Sequence, residues 1–192
     1  MLTLAQIDQF NCNGYLVVEN LITKPVREAV KAEYADLLDA LYAGWQADGL
    51  VPEAVPNSKS WDKLALAIKG GFDWYQPFDI SLPLDNITND TPMHFGPAVF
   101  DMIISDQILD TVECLIGSEI TSNPIQHVRI KPPERDVRDG ETRAHIISTD
   151  WHQDRAVTLK SADQTKMVTV WLAITDATVE NGCLQVKPGR TH

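Results

Sequence analysis

A single apolar stripe in the first quarter of the chain limits the fold most. Val30, Tyr34, Leu37, Leu38, Leu41 and Trp45 recur at three- and four-residue steps, the spacing that lines one face of an α-helix. Thr23 and Pro25 open this helix and Gly49 closes it. So wide a stripe has to lie against something flat, and core packing accounts for it better than a cofactor-binding role.

The neighbouring segments supply further helices. Thr3 and Gln6 make a capping-box pair ahead of a short helix, and Asn13-Gly14 offers a left-handed stop. Residues 15–18 then read as a brief strand. Residues 50–96 hold Pro52, Pro56, Pro77, Pro83 and Pro92 with Gly70-Gly71 and Gly96, which predicts loops with a helical turn over 60–69. Trp61, Phe72, Trp74 and Tyr75 in that stretch suit either a pocket wall or a satellite core, and the satellite core is the simpler reading. Ser105 caps a last helix with Ile108, Leu109, Val112 and Ile116 on its buried face, ended by Gly117.

After Gly117 the pattern changes. Residues 120–131, 145–154, 167–174 and 183–187 are rich in Val, Ile and Thr and read as strands. Val168, Val170, Leu172 and Ile174 alternate with Thr169, Trp171 and Ala173, and Asp139-Gly140, Asn181-Gly182 and Pro188-Gly189 supply turns. Helices first and strands afterwards predict an antiparallel α+β arrangement.

Composition narrows the partners. The chain has 192 residues, 44% of them hydrophobic, enough for one substantial core. Its net charge of -11 repels phosphate backbones and anionic lipid, which argues against nucleic acid and membrane surfaces. No apolar run approaches the roughly 20 residues of a membrane helix. Asp8 interrupts the N-terminal stretch that a signal peptide would keep apolar. Cys12, Cys114 and Cys183 are odd in number and far apart, which fits a reducing compartment, the cytoplasm, better than a disulfide framework or a thiolate site.

The sharpest chemical candidate is Trp151-His152-Gln153-Asp154. On a strand, positions two apart project from one face, so His152 and Asp154 can reach one point. An imidazole and a carboxylate together make two-thirds of the facial triad that holds non-haem Fe(II) and leaves positions open for a cosubstrate and dioxygen. By itself His-x-Asp also describes an ordinary surface hydrogen-bonded pair.

Its surroundings are more specific. Gly14-Tyr15-Leu16-Val17-Val18, His152-Gln153-Asp154 and Val170-Trp171-Leu172-Ala173-Ile174-Thr175-Asp176 come in that order. Residues 180–192, Glu-Asn-Gly-Cys-Leu-Gln-Val-Lys-Pro-Gly-Arg-Thr-His, follow. This order and spacing resemble the phytanoyl-CoA dioxygenase family of Fe(II)- and 2-oxoglutarate-dependent oxygenases. Arg190-Thr191 replaces the single Ser usual at that turn.

The resemblance implies one oxygenase domain over 1–192, mainly β or α+β. Residues 1–117 would form a helical scaffold, and 118–192 the first part of a double-stranded β-helix, a cupin-like jelly roll. It implies His152 and Asp154 as Fe(II) ligands, and Lys131, with Gln126 and Arg129, as contacts for the 2-oxoglutarate cosubstrate. Lys131 is the preferred carboxylate contact, although a strand-end lysine is equally ordinary. The family's usual third histidine and its 2-oxoglutarate-binding arginine are expected beyond residue 192, which would leave the barrel incomplete and the activity of this chain in question. Within the chain, His192 is the candidate third ligand, ahead of His94, His127 and His145. The implied reaction hydroxylates a small organic substrate with dioxygen while 2-oxoglutarate is converted to succinate and carbon dioxide. A metal-free β-barrel binding module and a zinc hydrolase are the rival readings. The hydrolase lacks a second histidine beside the first.

Overall fold

The computed structural model describes residues 1–132, 137, 139–143, 146–147 and 149–189, and of Val157 the backbone alone. Five α-helices occupy the N-terminal part: α1 (Leu4–Asn13), α2 (Lys24–Ala47), α3 (Ser60–Gly70), α4 (Pro97–Ile103) and α5 (Asp106–Ile116). Thr3 and Gln6 form the capping box of α1, and Gly14 ends it at φ 78°. That glycine has a second role. A Cβ at position 14 would sit 2.8 Å from the Gly189 carbonyl oxygen, and the Gly189 amide donates to the Asn13 carbonyl at 3.0 Å. The end of α1 is thereby tied to the turn at residues 188–189.

The stripe on α2 organises the core. Val30, Tyr34, Leu38, Tyr42 and Trp45 are buried along one face of the helix. They meet Leu64, Ala67 and Ile68 of α3, Val99 and Met102 of α4, Ile108 and Val112 of α5, and Trp74, Tyr75 and Phe78 from the intervening loop. The flat partner that the stripe demands is therefore made of helices and aromatic loop residues. Trp74 and Tyr75 belong to this main core, not to a satellite. Trp61 is 40% exposed, and Phe72 packs edge-on against Trp45 at 4.9 Å.

Polar groups fix the layers. Tyr34 donates to the Phe78 carbonyl at 3.1 Å and Tyr42 to the Pro52 carbonyl at 2.7 Å. Lys63 of α3 pairs with Asp39 of α2 at 2.8 Å. Helix α4, which lies outside the expected elements although Pro97 stands at its first position, is held by Glu33 of α2, whose carboxylate accepts from the amides of Ala98 at 2.7 Å and Val99 at 3.3 Å and from His94 Nε2 at 3.2 Å. A Cβ on Gly96 would overlap that carboxylate.

The expected sheet is absent. Among the described residues 42% are helical and none forms a β-strand, so the jelly-roll and mainly-β reading is overturned. So are the individual strands expected at 15–18, 120–131, 167–174 and 183–187, and that expected at 145–154 is overturned for 146–147 and 149–154, residues 145 and 148 lying outside the described residues. Period-two patterning survives in part, without pairing: Val168, Leu172 and Ile174 pack on the core, but Val170, in phase with them, is 42% exposed. Alternation sets which way side chains face along an extended chain, whereas a strand also needs a partner ladder. Described backbone bonds after residue 150 are instead mostly turns such as Ala156 to Gln153 and Ala162 to Leu159.

One local device here is pH-sensitive. Arg143 grips Glu141 at two points, 2.8 and 2.7 Å, and the amides of Thr142 and Arg143 add to it. Hydrogen bonds from the Arg143 side chain are the main cause of a Glu141 carboxyl lowered from 4.5 to about 2. A carboxyl whose pKa is lower in the fold than in the unfolded chain stabilises the fold fully above the unfolded value and progressively less as pH falls. The urea-midpoint gap between wild type and Glu141→Gln should therefore be constant above about pH 4.5 and shrink toward pH 2. A gap that does not change with pH would contradict this pairing.

Candidate metal and ligand site

His152 and Asp154 flank Gln153, whose backbone is extended at φ -118° and ψ 126°. One extended residue between them sends both side chains to the same side. Asp154 opens a short 3-10 turn, Asp154–Val157. Arg155 fastens the loop that follows, donating to the carbonyls of Thr165 and Ala162 at 3.1 Å each and to that of Asp163. The pair therefore stands on an anchored turn and not on a strand, with His152 55% and Asp154 50% exposed.

A hydrogen bond orients the ring. His152 Nδ1 lies 2.7 Å from the Asp150 carbonyl oxygen. A carbonyl only accepts, so Nδ1 carries the proton, and in the neutral ring Nε2 presents a lone pair. Nε2 lies 3.2 Å from Asp154 Oδ1. Two donors bound about 2.1 Å from one metal at right angles lie about 3.0 Å apart. The pair thus fits one edge of a metal's coordination shell, with the second ring nitrogen held by a carbonyl as metal-binding histidines usually are. Among the described residues no group of three or more His, Cys, Asp or Glu side chains gathers to hold a metal.

Other histidines are engaged elsewhere. His94 bonds Glu33, and His127 Nδ1 lies 2.7 Å from Asp79 Oδ2. His145 and His192 lie outside the described residues.

Three side chains were expected to hold the cosubstrate. Gln126 donates to Ser122 Oγ at 3.3 Å. Arg129 donates to the Tyr75 hydroxyl at 3.4 Å, with its guanidinium 5.9 Å from the centre of the Tyr75 ring. Lys131 donates to the Ile147 carbonyl, and its stem lies 3.6 Å from where a Cβ on Gly182 would be. Burial lowers the Lys131 pKa, and nearby Arg129 adds to the shift.

Sequence reasoning missed Asp79. This carboxylate is buried, 3% exposed. It accepts from Ile80 N at 3.0 Å, Val128 N at 3.1 Å and His127 Nδ1. Its partners lie up to 49 residues away, so no local spacing could have revealed it.

Comparison with known proteins adds the class of chemistry. Neither the curated proteins nor the solved structures yield a match. The sequence pattern of the family described as phytanoyl-CoA dioxygenase matches residues 10–191, nearly the whole chain and both members of the His-Asp pair. This family is generally Fe(II)- and 2-oxoglutarate-dependent and uses dioxygen on small molecules. On that match, the chain belongs to the phytanoyl-CoA dioxygenase family of dioxygenase-type oxidoreductases.

Proposed function

We propose that this chain is an Fe(II)- and 2-oxoglutarate-dependent dioxygenase that hydroxylates a small organic substrate, with His152 and Asp154 as two ligands of the metal. The observation that carries the reading is the 3.2 Å approach of Asp154 Oδ1 to Nε2 of His152, in a ring oriented by the contact of its Nδ1 with the Asp150 carbonyl. Fe(II), with 2-oxoglutarate, would supply the dioxygen chemistry. The protein's part is to orient the donors, and Arg155 does so by fixing the turn on which Asp154 sits. Lys131 is the residue proposed to meet a carboxylate of the cosubstrate, and His192 the candidate for the third ligand position. One core cluster joins residues on α2 through to Ile146, which supports a single domain. No described helix is long and apolar enough to cross a membrane.

Half-exposure of both donors favours a second reading, a metal-free binding module. Anaerobic Fe(II) or Mn(II) titration separates the two. At a free metal concentration 100 times Kd, binding adds about 2.7 kcal/mol, or roughly 5–10 °C in Tm for a chain of this size. Wild type should show that rise and Asp154→Ala should not. No rise in wild type, or the same rise in both, would remove the metal reading.

A further inference from the structure

Helix α4 leaves an apolar surface that the core does not cover. It turns Val99 and Met102 inward. Phe100 and Ile104, one turn apart, are turned outward at 60% and 45% exposure, and Phe95 just ahead of the helix is 82% exposed. Phe95 and Phe100 stand at the two positions that pair across a helix start in a hydrophobic staple. Exposed apolar groups gathered in this way and rimmed by polar ones mark an interaction surface.

The rim is acidic. Residues 70–128 contain nine Asp or Glu and neither Lys nor Arg, so this stretch carries most of the net charge of -11. Asp106, Asp110 and Glu113 recur at four- and three-residue steps on α5, on the face opposite buried Ile108 and Val112, and all three are exposed. Like charges at this spacing destabilise a helix, and Glu113 lies toward the C-terminal end, where the helix dipole disfavours an anion. The last turn holds no basic residue. Among the described residues none of these three side chains has an ion-pair partner. Only Ser105 separates Ile104 from Asp106, and α4 packs against α5, which joins the apolar patch to the acidic stripe.

Charge selects the occupant. A second copy would bring the same net charge and the same stripe, so self-pairing opposes like charges. Anionic lipid is repelled for the same reason. A partner that inserts apolar side chains and sets Lys or Arg against α5 satisfies both halves of the surface, and an amphipathic helix presents them on adjoining faces. We infer that α4 and α5 dock a basic amphipathic segment of another protein, with Phe100 and Ile104 as apolar anchors and Asp106, Asp110 and Glu113 opposite its cations. The surface includes neither His152 nor Asp154 and needs no metal, so this proposal and the oxygenase reading fail separately.

The test is a fluorescence-anisotropy titration of the full chain into a labelled amphipathic helical peptide of Leu and Lys. Saturable binding that weakens as salt is raised is expected. Phe100→Ser should weaken it about tenfold or more, the effect of losing an interface anchor, with an unchanged thermal melt because the ring is largely exposed. Asp106→Asn combined with Asp110→Asn should weaken binding and flatten its salt dependence, and it decides the matter should Phe100→Ser lose its fold. Asp8→Asn combined with Glu19→Gln, which removes two exposed charges elsewhere, should leave the affinity within about twofold. A peptide with Glu in place of Lys should not bind. Equal loss in the Asp8 and Glu19 variant would show attraction to net charge alone and overturn the proposal. So would the absence of saturable binding, or equal binding of the Glu peptide. Sedimentation of the chain alone should show no self-association that depends on Phe100; a dimer abolished by Phe100→Ser would assign the face to a second copy instead.

Discussion

Phe78→Ala is expected to cost about 3–5 kcal/mol, the range for removing a fully buried aromatic ring. Phe78 is 0% exposed. Its ring centre lies 5.7 Å from Trp74, 6.2 Å from Trp45 and 6.4 Å from Tyr34. Its carbonyl also receives the Tyr34 hydroxyl. The residue thus joins the α2 stripe to the aromatic loop, and the backbone around it is too well tied to collapse into the cavity. A domain's whole stability is typically about 5–15 kcal/mol, so this single change should remove a large part of it. Urea unfolding followed by circular dichroism checks the value. Trp61→Ala, at a site 40% exposed, should shift the midpoint far less; equal losses would show that the core is not centred where the contacts place it.

The second large effect is on activity. His152→Ala should lower 2-oxoglutarate-dependent succinate release by at least about 100-fold, since residues that merely orient metal ligands already cost 10–100-fold. The ring is half-exposed and anchored by one carbonyl, so its removal should leave the unfolding midpoint nearly unchanged. His94→Ala is the contrasting variant. It breaks a part-buried bond to Glu33 and should lower stability while turnover per folded molecule holds. Turnover unaffected by His152→Ala would remove the assigned role.

How far the sequence alone carries depends on the range of the interaction. Thr3 with Gln6, the stripe from Val30 to Trp45, and Ile108 with Val112 act within one or two helical turns. Each appears in the structure as α1, α2 and α5. Helix α4 escaped notice because its start is satisfied by Glu33, 65 residues earlier. The sheet was misjudged for a related reason. The alternation of Val168, Leu172 and Ile174 records which side faces the core, and it cannot report whether another strand is alongside. At the site, the two-residue step between His152 and Asp154 reads directly as proximity, although on a turn and not a barrel wall. Asp79 and His127, 48 residues apart, meet only through the fold.

The central claim is that Asp154 and the Nε2 of His152 share one divalent cation. Its most direct measurement is the hyperfine spectrum of Mn(II) added anaerobically to protein labelled with 15N-histidine. An imidazole nitrogen coupling is expected in wild type and in His94→Ala, with its loss in His152→Ala. A coupling that persists undiminished in His152→Ala, or that never appears in wild type, would contradict the claim.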